Sequence, residues 1–287
     1  MIDWLYTIFV EPLSYAFMQR ALFIALLTGI VCAIFSCFLV LKGWSLMGDA
    51  VSHAVLPGLA LAVVAGVPLG VGAFAAGLFC ALATGYLKQN SRLKEDTVMG
   101  VVFAGMFAIG LVLMTKIETD VHLLHVLFGN VLGVTHAHMI ETAIAAGLGI
   151  VIMLLKRRDF MLICFDPAHA GAIGLPVRRL HFTLLALLAL SIVASLKAAG
   201  ILLVIAMLIA PGAIAFLLTR SFDRMLMLAI CVSVFACVTG TITSYHLDAG
   251  TAPLIVTIQA ALFAPALLYN QWRGRPGTNI KQAEAQA

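Results

Sequence analysis

Ala21-Leu22-Phe23-Ile24-Ala25-Leu26-Leu27-Thr28-Gly29-Ile30-Val31-Cys32-Ala33-Ile34-Phe35-Ser36-Cys37-Phe38-Leu39-Val40-Leu41 decides the fold class. The run carries no charge, and a helix needs about 20 such residues to cross a hydrocarbon core. It is too long for the core of a signal peptide. In lipid a helix satisfies its own backbone polar groups, so helix is the expected conformation. The surrounding chain has 287 residues, 63% hydrophobic and 10% charged, with mean hydropathy +1.10. A soluble domain is about 45–50% apolar and about 25% charged. This composition describes a polytopic membrane protein, and no polar stretch is long enough for a separate soluble domain.

Working outward, hydropathy predicts further spans at about 46–65, 69–87, 97–115, 137–155, 180–196, 200–219, 225–243 and 252–269. The expected fold is an all-α transmembrane bundle of about nine spans. The weakest join is Lys197-Ala198-Ala199-Gly200; a break within one helix there reduces the count to eight. Basic residues mark cytoplasmic loops. With the N-terminus outside and the C-terminus inside, 14 of the 17 Lys and Arg residues fall on the cytoplasmic side. Arg20, Lys116 and Lys197 are the exceptions. Residues 1–20 read as an interfacial lead-in with aromatic anchors such as Trp4, Tyr6 and Phe9, 21–270 as a single transmembrane domain, and 271–287 as a polar tail expected to be disordered. A net charge of +4 is no nucleic-acid signal in such a chain.

The segment after the first run is Leu46-Met47-Gly48-Asp49-Ala50-Val51-Ser52-His53-Ala54-Val55-Leu56-Pro57-Gly58. A carboxylate at membrane depth costs about 2.5–3.5 kcal/mol on insertion scales, and such residues default to a functional reading. Asp49 and His53 stand i, i+4, on one helix face. Oxygen plus imidazole nitrogen suits Mn²⁺, Fe²⁺ or Zn²⁺, and one helix supplies only two ligands, so a closed site needs a second contributor. Pro57 cannot donate to the His53 carbonyl four residues back, which frees that oxygen toward any polar space. The competing reading is a kinked helix whose Asp-His pair only binds it to a neighbour. Pro211 similarly frees the carbonyl of Met207 and marks a possible hinge.

A second motif is Phe165-Asp166-Pro167-Ala168-His169-Ala170-Gly171-Ala172-Ile173-Gly174-Leu175-Pro176, between basic flanks. Asp166 suits an N-cap, Pro167 the first helical position and Gly174 the stop. A helix of about two turns is too short to stand alone, so it should pack on something. On the outer side, 116–136 holds Glu118, Asp120, His122, His125 and His136, with His138 and Glu141 just after. The pairs His122/His125 and His138/Glu141 are i, i+3 and could pass a cation inward; a solvated vestibule with surface histidines fits as well. Residues 123–134 are apolar enough for a short re-entrant helix. The six cysteines form no Cys-x-x-Cys and read as small packing residues without disulfides.

The long stretch Leu41 to Gly58 resembles the signature of metal-ion ABC transporter permeases, the ABC-3 type inner-membrane subunits that import Mn²⁺, Fe²⁺ or Zn²⁺. The likeness runs from about Pro12 to about Tyr269. In that family Gly-Asp-x-x-x-His supplies the transmembrane ligands, which match Asp49 and His53. The Pro57-Gly58 ending looks more like the manganese and iron branch. The 165–176 motif resembles the coupling helix, which implies that Phe165, Asp166, Pro167, Ala170, Gly171 and Gly174 dock on an ATPase. The resemblance implies a type II ABC importer permease of the bacterial inner membrane. Its implied partners are a cytoplasmic ATP-binding subunit dimer, a second permease (identical or paralogous) and an extracytoplasmic metal-binding protein, besides membrane lipid. No cofactor is held permanently; the divalent metal is cargo. The chain itself has no phosphate loop and no His-Glu-x-x-His, so it is expected to be a non-enzymatic subunit. The alternative is a secondary carrier coupling metal to protons, a class that often shows inverted repeats; no convincing internal repeat is visible here.

Overall fold

The computed structural model describes residues 11–44, 46–116 and 136–272. The regular structure of the described residues is all helical: α1 (Glu11–Ser14), α2 (Ala16–Lys42), α3 (Met47–Ala54), α4 (Leu56–Ala65), α5 (Leu69–Gln89), α6 (Glu95–Lys116) and α7 (His136–Leu155) form the first part. Then come α8 (Arg157–Phe165), α9 (Pro167–Ala172), α10 (Val177–Ala199), α11 (Ile201–Leu218), α12 (Phe222–Leu247) and α13 (Thr251–Trp272).

Eight segments are long and apolar enough to cross a membrane, and a ninth arises when the bent pair α7 and α8 is taken as one. The pair turns by 72° at its break. At about 1.5 Å per residue the 20 residues of α7 already reach about 30 Å. The doubtful join at 197–200 resolves into two helices, α10 and α11, with Gly200 between them at φ 79° and ψ 165°. The span-count ambiguity therefore lies at α7 and α8 rather than there.

The deciding run forms α2, the buried hub of the bundle, which packs against α7, α10, α11 and α12. Lipid tails are as apolar as leucine, so such helices associate through close fit and a few polar contacts. Gly29 shows the fit: an added Cβ would stand 2.7 Å from Ser233 Oγ and 2.8 Å from Cys237 Sγ. Five of the six cysteines are buried, and Cys237 Sγ donates to the Ala25 carbonyl at 3.1 Å. Ser36 on α2 serves the proline in α11: its Oγ donates to Ile209 O at 3.2 Å and accepts from Gly212 N at 2.9 Å. The buried amide of Gln259 reaches Met207 Sδ at 2.9 Å from α13. By contrast α6 and α13 keep long apolar faces exposed, as lipid-facing or partner-facing helices do.

Candidate functional site

α3 and α4 are two halves of one span, Met47–Ala65, broken at Val55 by Pro57 at the start of α4. The break is locked by close neighbours. Gly58 of α4 and Gly72 of α5 touch so closely that a Cβ on either would run into the other's carbonyl oxygen. From α6, a Cβ on Gly110 would lie 2.7 Å from Leu56 Cβ and 2.9 Å from Pro57 N. The join between α3 and α4 is thus held by two close glycine contacts.

The first half of the span carries Asp49 and His53 on one face. Oδ1 of Asp49 lies 3.2 Å from Nε2 of His53. The Ser52 hydroxyl points elsewhere, donating to Gly48 O at 2.7 Å. The imidazole sits beside two rings of α6: its centroid is 5.6 Å from Phe107, edge to face, and 5.8 Å from Phe103. Both side chains stay open, His53 at 30% and Asp49 at 39% relative exposure. In a helix otherwise packed with buried neighbours, this pair faces away from the subunit's core. Among the described residues no group of three or more His, Cys, Asp or Glu side chains gathers, so this subunit presents two donors. Phe103 and Phe107 escaped the sequence reading because an i, i+4 phenylalanine pair on an apolar helix looks the same whether it faces lipid or a ligand.

His122 and His125 lie outside the described residues, as do 123–134 and the side chain of His138. Glu141 lies on α7 and, with Thr142, Gly70 and Phe74, lines a shallow cavity of about 160 Å³.

At the cytoplasmic end the expected short helix is α9. The Asp166 carboxylate accepts from the backbone N–H of His169 at 2.9 Å, and Pro167 occupies the first turn. Gly174 takes φ +84°, a left-handed conformation that other residues adopt at a cost. Its N–H donates to Gly171 O at 3.0 Å, and Leu175 N–H closes on Ala170 O at 3.0 Å. Ala170 is buried against the body, whereas Phe165 and Ile173 are exposed apolar side chains at either end of the helix.

The family model described as the ABC 3 transport family matches residues 14–270. The chain belongs to the ABC 3 transport family. It is 63% identical over 266 residues to the chelated iron transport system membrane protein YfeD of Yersinia pestis, covering 93% of this chain and 90% of that one. It is 50% identical to the manganese transport system membrane protein MntB of Synechocystis sp., covering 96% of this chain and 93% of the other. A solved structure of PsaBC from Streptococcus pneumoniae in complex with Fab superposes with a TM-score of 0.80 at 34% identity, over 93% of this chain and 95% of that chain. The bundle is therefore the ABC importer permease fold, and this family member is a multi-pass membrane subunit.

Proposed function

We propose that this chain is the inner-membrane permease subunit of an ATP-driven importer of divalent manganese or iron, with Asp49 and His53 as its metal ligands. Family membership and the iron and manganese systems of the similar proteins support the cargo. The observation that carries the site is a carboxylate and an imidazole 3.2 Å apart just before the helix break at Val55, both partly exposed. Two donors cannot complete a coordination sphere for these metals. A second permease presenting the same pair across a shared pathway would supply the missing ligands.

The cytoplasmic partner is an ATP-binding subunit dimer, reached through α9. The capped helix offers Phe165 and Ile173 outward, while Asp166, Pro167, Ala170, Gly171 and Gly174 fix its shape and seat. Approach of the ATPases would push α9 and, through α8 and α10, reset the helices around Asp49 and His53. An extracytoplasmic binding protein would deliver metal at the outer end, where His122, His125, His138 and Glu141 form a candidate vestibule. A secondary carrier is disfavoured by membership in an ABC family.

The test is uptake of radioactive manganese and iron by cells carrying the complete importer, with zinc as competitor. Loss of groups that merely orient a ligand costs about 10–100-fold in affinity, so Asp49→Ala and His53→Ala should lose at least as much while reaching the membrane at normal level. Wild-type uptake by either variant would refute the site.

A further inference from the structure

Behind α9 lies a cavity of about 290 Å³ lined by Lys42, Ile163, Pro167, Val177, Arg178 and His181. It is enclosed by the end of α2, α8, and the start of α10. Among the described residues no acidic side chain lines it. Lys42 Nζ donates to the Ile163 carbonyl at a long 3.4 Å and lies 5.8 Å over the Trp44 ring. The Arg178 guanidinium lies 5.8 Å over the Phe182 ring. Among the described residues neither cation has a carboxylate within ion-pair distance. The N-terminus of α10, which has no side-chain cap, adds its positive dipole end beside Val177. Two cations and a helix N-terminus border a largely apolar-walled space, sized below most drug-sized pockets, which run about 300–1,000 Å³. The level is right for membrane phosphate, since Lys42 ends one span and Arg178 begins another.

The geometry points to a phosphate-binding pocket formed by Lys42, Arg178 and His181 at the cytoplasmic edge of the bundle. An anionic phospholipid headgroup and free phosphate share this chemistry. Basic pockets between membrane helices on this side hold anionic headgroups. The occupant would bridge α2 to α10 and stiffen the wall against which α9 rests.

The experiment uses the purified full-length chain in nanodiscs of phosphatidylcholine with graded phosphatidylglycerol, and native mass spectrometry counts the lipid retained. Wild type should retain phosphatidylglycerol preferentially. At about 1 kcal/mol per cation, Lys42→Gln with Arg178→Gln should lower that preference roughly thirtyfold. Arg178 is exposed, so Arg178→Gln alone leaves packing intact and should lower it about fivefold. A charge-matched control, Arg158→Gln with Arg220→Gln, removes two cations elsewhere on the same side and should retain it. Millimolar inorganic phosphate that displaces the lipid one for one identifies free phosphate as the ligand; lipid that stays identifies the headgroup. Equal retention by wild type and both pocket variants, or equal loss in the control, overturns the proposal. The readout requires no metal transport, so it stands or falls apart from the assignment of Asp49 and His53.

Discussion

Replacing Gly110 by alanine places a methyl group where the structure has no room for one. The added Cβ would lie 2.7 Å from Leu56 Cβ and 2.9 Å from both Pro57 Cδ and Pro57 N. These atoms belong to the backbone, to a Cβ and to a ring, so no side-chain rotation relieves the overlap. Carbon contacts are comfortable at about 3.5–4.0 Å, so α6 must retreat from the kink by on the order of 1 Å. Overpacking of this kind costs about 1–3 kcal/mol. Removing a glycine from a helix interior returns about 0.5–1 kcal/mol. The net expectation is a loss of about 0–2.5 kcal/mol. Gly105, five residues earlier on the same helix, has nothing within 4 Å of its added Cβ. Gly105→Ala should therefore gain the about 0.5–1 kcal/mol without the overlap. The assay is the denaturant midpoint of the two purified variants beside wild type. Retreat of α6 also carries Phe103 and Phe107 away from His53, so metal uptake should fall in Gly110→Ala at equal membrane level. If the two variants agree within about 0.5 kcal/mol, the scatter of neutral surface changes, the clamp at Pro57 does not exist as described.

Asp166→Ala removes the cap on α9, worth about 1 kcal/mol, and Gly174→Val forces a branched side chain to φ +84°; both should reduce copurification of the ATPase and uptake while leaving metal binding by the permease unchanged. A Gly174→Val complex with normal uptake and normal ATP hydrolysis would exclude α9 as the coupling element. Ser36→Ala should destabilise by about 1–3 kcal/mol, because Ile209 O and Gly212 N lose a buried partner across α2 and α11; thermal unfolding of the purified chain reads this. Asp223→Ala breaks the 3.0 Å pair with Arg157, but both side chains are more than a third exposed, so the unfolding free energy, followed by thermal melting, should change by no more than about 1 kcal/mol.

The spans were legible because each needs about 20 apolar residues, a length that no soluble core demands. Asp49 and His53 were legible for a related reason: polar groups are rare at membrane depth, and helical spacing alone puts both on one face. The α9 cap was readable from Asp166, Pro167 and Gly174, since capping is chemistry between near neighbours in the chain. The turn between α7 and α8 was not, because a 72° change of direction within a continuous helical pattern depends on what α8 packs against, here through buried Phe160 and Ile163. Nor did the sequence distinguish Gly110 and Gly58 from Gly105, although all three sit in apolar helices. Whether a glycine meets a neighbouring backbone or open space depends on the crossing of helices far apart in the chain. The same holds for Lys42 and Arg178, more than a hundred residues apart, which hydropathy assigns only to the same side of the membrane. Local patterning acts over a few residues and so is written in the sequence. The juxtapositions that clamp the kink, wall His53 with phenylalanines and gather cations behind α9 are long-range packing, and only the folded bundle decides them.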